Sequence, residues 1–535
     1  MPVNHLSKDH FSVISAAMIV ACLVASSVVF AAPWDKANDT LLTVITLLLG
    51  ARFLIRRKVL TSPDYQVLLL LVLILLALPF AIVTKVFGHL DMLKFLFHLE
   101  FGTEGTAFAG MELETATSVV SASLLFFSAW MLRGVLKSRI IIPIVCAILI
   151  AVNPAVRFYA TTFIYANVSE ESLKADIAVP SYDTLPNGDL PDIIWVYLEG
   201  LERGFGNREL FGDVYDPLNR LAERGIEFLE VGEFPGTGSS ISGNVATQCG
   251  LPLLPNGFRA GNTFGDQVNF LANSVCLGDV LSSLGYHSHF VMGSRMSFAG
   301  FDHFLTTHKY DSLFGSSKIE AAFTKDEVDK AQASWGPDDQ MLFDFAQKTY
   351  LSAIKSGPVS VVIQTMGPHG KSSHLSRRCT DNQIAITTRD VPAAVGCTAE
   401  IVFDFVKNLE AAAPTRKRLF VLVSDHLAHL GSATPLLEKG PRRNTFIVLG
   451  DAIEQGMKNY KRGSLVDVYP TILQLLGAGK HPHPGGFGIS LLTDEPTFME
   501  THDYDELHWR ISTDVDLVKS LWAEEPLRID APIAK

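Results

Sequence analysis

The stretch "RLFVLVSDH" (418–426) decides the fold. Five of its first seven residues are apolar, a run of strand length, and it ends on a carboxylate followed by an imidazole. Four similar runs surround it: "DIIWVYLEG" (192–200), "SHFVMG" (288–293), "VSVVIQTMG" (359–367) and "NTFIVLG" (444–450). Helical patterns separate them, at 214–224, 277–284, 339–354, 399–411 and 464–476. Fully apolar strands alternating with helices predict an α/β, doubly wound, mostly parallel sheet covered on both faces.

Ligands of such sheets bind beyond the carboxyl ends of the strands. Glu199 ends one strand, Asp425 and His426 end another, and His369 follows a third in "TMGPHG". The turn "GEFPGTGSSISGNVATQCG" (232–250) brings hydroxyls to the start of a helix near 240. Glutamate and aspartate oxygens, a histidine nitrogen and a hydroxyl suit one divalent metal ion. A metal-bound hydroxyl becomes a nucleophile near neutral pH, and a helix N-terminus beneath it favours an anion. The spacing therefore predicts phosphoryl or sulfuryl transfer. Each residue also has a plainer reading: Glu199 as a solvated strand end, Asp425 as a turn cap, and Ser240, Ser239 or Thr237 as an N-cap.

Outside 190–535 the composition changes. The 535 residues are 48% hydrophobic and 19% charged, and the apolar excess gathers in 11–156. Five stretches there read as membrane helices: 11–32, 40–55, 65–83, 116–136 and 140–156. Arg52, Arg56, Arg57 and Lys58 in one loop, and Arg133, Lys137 and Arg139 in another, predict cytoplasmic loops. Everything after about 157 then lies outside. The expected domains are a transmembrane part (1–166), a polar linker (167–190) and an outward α/β domain (191–535). A net charge of −12, with no basic stripe, argues against nucleic acid. Cys249, Cys276, Cys379 and Cys397 fall as two close pairs, which suits disulfides 249–276 and 379–397 in an oxidising compartment. A zinc site is the alternative, although no C-x-x-C is present.

The globular half resembles the membrane-anchored phosphoglycerol transferase I family of the alkaline phosphatase/sulfatase superfamily. Lipoteichoic acid synthases and phosphoethanolamine transferases are more distant relatives. The motifs are "VYLEGLE" (196–202), "PGTGSSISGNVATQCGLPL" (235–253), "VCLGDVL" (275–281), "FAGFDHFL" (298–305), "WGPDD" (335–339), "SRRC" (376–379) and "LVSDHLA" (422–428). The resemblance implies Glu199, Asp425, His426 and Ser240 as metal ligands, with Ser240 as the nucleophile where the family usually has threonine. The metal would be manganese or zinc, with magnesium as a further candidate. It also implies a bacterial inner-membrane, multi-pass protein with a periplasmic catalytic domain. The donor would be phosphatidylglycerol and the acceptor a periplasmic glucan.

Two departures bear on the donor. "TMGPHG" stands where the glucan-modifying relatives have T-H-H-P, and is closer to the T-M-G-S-H-G of the phosphoethanolamine transferases. His369 is accordingly assigned to substrate binding, and phosphoethanolamine transfer to lipid A or glucan is the alternative activity. Phe301 occupies a position that is basic in relatives, with Arg295 as a candidate substitute. A formylglycine sulfatase would need C/S-x-P-x-R, which "SSISG" lacks. A non-catalytic sensor that kept the fold would bind no metal. His429 reads as structural or solvent-facing, and His481 and His483 as loop histidines.

Overall fold

The computed structural model describes residues 72–81, 116–124, 141–157, 160, 172–179 and 190–523, except 255–268, 371–372, 382, 389, 414, 430–431 and 478–484. These fall into two units, one within 72–160 and one within 172–523. In the first, 72–81 and 116–124 are helical, as is Ile141–Val152. Among the described residues no helix is long and apolar enough to cross a membrane. The expected spans 11–32 and 40–55 lie outside the described residues, as do His481 and His483.

The second unit is built on an eight-stranded sheet. Its strands are β1 Asp192–Leu198, β2 Gly225–Phe228, β3 His287–Met292, β4 Ser312–Phe314, β5 Val359–Gln364, β6 Arg418–Ser424, β7 Phe446–Gly450 and β8 Met457–Asn459. The order across the sheet is β8-β2-β7-β6-β1-β5-β3-β4. β6, β1, β5, β3 and β4 run parallel. β7 is antiparallel to both β6 and β2. Every residue of β1, β5 and β6 is buried, which is why these strands read as unbroken apolar runs rather than alternating ones.

The helices that cover the sheet include α1 Asp216–Ala222, α2 Ser240–Cys249, α3 Asp339–Ala353, α4 Val391–Ala412 and α5 Val468–Leu475. One face of α1, α3 and α4 joins the sheet in a single core, with Leu218, Leu342, Phe343, Val402 and Phe405 against Ile194, Val361 and Phe420. Burial of each such side chain contributes roughly 1.5–3 kcal/mol.

At the amino edge of the sheet, Asp192 accepts hydrogen bonds from Tyr350 Oη (2.9 Å), Val359 N (3.0 Å) and Arg416 Nε (2.7 Å). Buried Arg418 donates to the carbonyls of Leu409 (3.2 Å) and Ala413 (2.6 Å) at the end of α4. This edge is a structural anchor. Both expected disulfides are present, Cys249–Cys276 and Cys379–Cys397. Within the stretch read as a free linker, Ser172 Oγ and Leu173 N instead donate to Asp514 (3.0 and 2.8 Å), and Ala178 bridges to Gly486.

Candidate active site

Register alone brings the strand-end residues together. Leu198 of β1 pairs with Ser424 of β6, so Glu199 and Asp425 leave their strands side by side. Tyr197 pairs with Gln364, the last residue of β5, on the other flank. Gln364 Nε2 donates to Asp425 Oδ2 (2.9 Å) and approaches Glu199 Oε2 (3.4 Å), spacing the two carboxylates. Gly200 N donates to Asp425 Oδ1 (3.0 Å), as does His426 N (3.0 Å). Glu199, Asp425 and His426 are fully buried.

The hydroxyl arrives from α2. Ser239 takes the N-cap role, its N–H donating to Ser242 Oγ (2.9 Å), and Thr237 is spent on Phe234 O (2.7 Å). Ser240, the first residue of the helix, is thereby released from capping. Its Oγ donates to Glu199 Oε2 (3.0 Å) and stands 3.4 Å from His426 Nε2. Asn244 fixes the next turn through Ser240 O (2.9 Å) and Gln364 Oε1 (3.0 Å).

The donor set is shaped for a cation. His426 Nδ1 lies 2.8 Å from Leu427 O, a contact that needs a proton on Nδ1 and leaves the Nε2 lone pair of the neutral ring directed inward. That lone pair is 3.3 Å from Glu199 Oε1 and 3.6 Å from Asp425 Oδ2. Glu199 Oε1 is buried without a hydrogen-bond partner. Electron pairs converging in this way repel unless a positive ion lies between them, so these residues fit a divalent metal. Burial, and then the charge of Asp425, push the Glu199 carboxyl up to about 7. A bound cation reverses that effect.

His369 follows β5 in a loop held by Asp339, which accepts from Met366 N (2.9 Å), Gly367 N (3.1 Å) and Thr398 Oγ1 (2.7 Å). His369 Nε2 is 3.9 Å from Glu199 Oε1, and its ring lies 4.6 Å from that of Trp335. Arg295 is not brought in. It is exposed, three residues past the end of β3, with no contact to the cluster among the described residues. Phe301 is wholly buried against Phe290 and Phe298, so its side chain is a core element.

Residue-type reasoning passed over several neighbours. Gln364 is a lone amide in an apolar strand, and that polarity was the signal. Trp335 and Asp339 lie within "WGPDD". His429 is half-buried, and its ring stacks on His426 at 4.2 Å and lies 5.8 Å from His369, so it is neither solvent-facing nor remote. Cys249, Cys276 and His308 also cluster, but both sulfurs are committed to the disulfide.

A family model described as Sulfatase matches residues 191–478. The chain is 30% identical over 331 residues to phosphoglycerol transferase I of Escherichia coli (strain SMS-3-5 / SECEC), covering 60% of this chain and 43% of that protein. It is 31% identical over 319 residues to phosphoglycerol transferase I of Citrobacter koseri, covering 58% and 41%. The chain thus spans less than half the length of these curated relatives. Among solved structures, the integral membrane lipooligosaccharide phosphoethanolamine transferase A (EptA) from Neisseria meningitidis is 13% identical, with 87% and 94% coverage and a TM-score of 0.45.

Proposed function

The chain belongs to the sulfatase family, and from that premise we propose that it is a phosphotransferase moving phosphoglycerol from phosphatidylglycerol to a periplasmic glucan. The observation that carries this reading is the Ser240 hydroxyl, 3.0 Å from Glu199 Oε2 and 3.4 Å from His426 Nε2 at the start of a helix. The 30% identity to phosphoglycerol transferase I supports the choice of donor and acceptor.

Glu199, Asp425, His426 and Ser240 would hold one divalent ion, zinc or manganese. When bound, that ion would favour the serine alkoxide and offset charge on the phosphoryl oxygens. Ser240 Oγ, its proton directed to Glu199 Oε2, forms the bond to phosphorus while the bond from phosphorus to the diacylglycerol oxygen breaks. Diacylglycerol departs with a proton, and phosphoglycerol remains on Ser240. His369 is the imidazole placed to hold a phosphate oxygen or to pass that proton. A glucan hydroxyl then attacks the phosphoserine, restoring Ser240 and returning a proton. The amides at the start of α2 face the anionic group.

The proposed setting is a bacterial inner membrane. The apolar part, 1–166, would form a multi-pass helical anchor, with 167–190 leading to a periplasmic domain over 191–535. The two disulfides agree with an oxidising compartment. Anchoring would hold the site at the plane of a lipid headgroup.

Phosphoethanolamine transfer is the second reading, favoured by the run "TMGPHG" that carries His369, which is closer to the phosphoethanolamine transferases than to the glucan-modifying relatives. Mass analysis of glucans and lipid A from cells with and without the chain separates the two. A phosphoglycerol increment on glucan is expected, and a phosphoethanolamine increment on either acceptor would overturn the first reading.

A further inference from the structure

We propose that His429 is an additional nitrogen ligand of the cation site; this rests on the reading that Glu199 and His426 bind a divalent ion. A nitrogen of His429, a nitrogen of His426 and an oxygen of Glu199 all lie within 4.8 Å of one another. The imidazoles of His426 and His429 stack at 4.2 Å with an interplanar angle of 28°. The same carboxylate, Glu199, has one oxygen, Oε1, buried without a hydrogen-bond partner.

Distances decide whether one ion can serve all three. Zinc bonds to nitrogen and oxygen are about 2.0–2.2 Å and tetrahedrally disposed, so two ligands of one ion stand roughly 3.3–3.6 Å apart. The three atoms are at most 4.8 Å apart, so reaching that range needs a shift of no more than about 1.5 Å. His429 can supply it, because β6 has ended at Ser424 and 428–429 carry no regular hydrogen-bonded structure. His426 is fixed by Leu427 O and cannot swing away to meet a distant partner. Aromatic stacking alone would explain two rings inclined at 28°, but not a nitrogen of each lying within 4.8 Å of the same buried carboxylate. With His429 the set becomes richer in nitrogen, which favours zinc over manganese or magnesium.

The test uses the full chain in detergent, stripped by a chelator and titrated with zinc against a chromophoric competitor. His429→Ala is expected to weaken zinc binding by at least about tenfold. Cobalt bound to His429→Ala should show a visible spectrum altered from that of the wild type. His429→Gln serves if the alanine variant does not fold. In the wild type, zinc should protect His429 from diethyl pyrocarbonate, read by peptide mass. Wild-type zinc affinity and an unchanged cobalt spectrum in the variants, with binding lost in Asp425→Ala, would overturn the His429 assignment alone. Absence of zinc and cobalt binding by the wild type would overturn both the assignment and the cation reading beneath it.

Discussion

Gly243 lies so close to Asp425 that a β-carbon built on it would stand 1.7 Å from the Asp425 carbonyl oxygen. Helix α2 and the end of β6 meet backbone to backbone, and this contact sets the distance between Ser240 and the carboxylates. Gly243→Ala must push α2 off the strand end. We expect a loss of about 1–3 kcal/mol of stability, the usual cost of overpacking, and a weaker zinc affinity. Thermal unfolding and zinc titration of the variant check both, and an unchanged zinc affinity would refute the argument.

Ser240→Ala should reduce transfer by at least about 10³-fold while leaving the unfolding temperature close to that of the wild type. The capping hydrogen bonds belong to Ser239 and Ser242, so the helix start does not depend on the Ser240 side chain. Ser240→Thr keeps the hydroxyl and should retain activity. Glycerol phosphate incorporated into glucan is the readout.

Acidity of Glu199 gives a pH signature in the cation-free chain. Its folded pKa of about 7 stands above the ordinary 4.5, because of burial and then Asp425. The folded state therefore binds more protons than the unfolded one between these values. The stabilising contribution is complete below about 4.5 and is lost as pH rises through about 7. Zinc should strengthen its own binding over the same interval, since the carboxylate must be ionised to ligate. Chelator-treated and zinc-loaded samples melted from pH 5 to 8 should diverge as pH rises.

Reduction should weaken the domain. Cys379–Cys397 closes a loop of 18 residues, and loss of such a crosslink costs about 3 kcal/mol in the chain-entropy account. The double variant Cys379→Ser, Cys397→Ser should show that loss in urea unfolding. Peptide mapping without reductant should recover both crosslinked pairs.

The central strands and their chemistry were legible because burial on both faces forces unbroken apolar runs, so any polar residue at their ends stands out. Glu199, Asp425 and His426 were picked out that way and the Gly- and Ser-rich turn marked Ser240, and these four side chains do lie together. The short strands β2, β4 and β8 were not legible: three or four residues carry too little periodicity to separate from loop. Hydropathy also could not show that β7 runs antiparallel, because direction is set by connection length and pairing. Ser239 and Ser240 were indistinguishable as caps until the backbone assigned the role to Ser239. His429 and Trp335 sit in segments without regular spacing, where only tertiary placement reveals a neighbour. Arg295 was chosen by residue type, and its position after β3 leaves it exposed.

Helix α2 is clamped at both extremities: by the Gly243–Asp425 approach near its start, and by Cys249–Cys276 and the Gly250–Gly485 contact at its finish. A rod gripped twice can neither slide nor tilt, so the reactive oxygen keeps one address whatever molecule is offered to it. On the proposed reading, selectivity for the acceptor then rests with the surrounding loops. A cell that fails to oxidise this one sulfur pair would blunt a reaction whose atoms the sulfurs never touch.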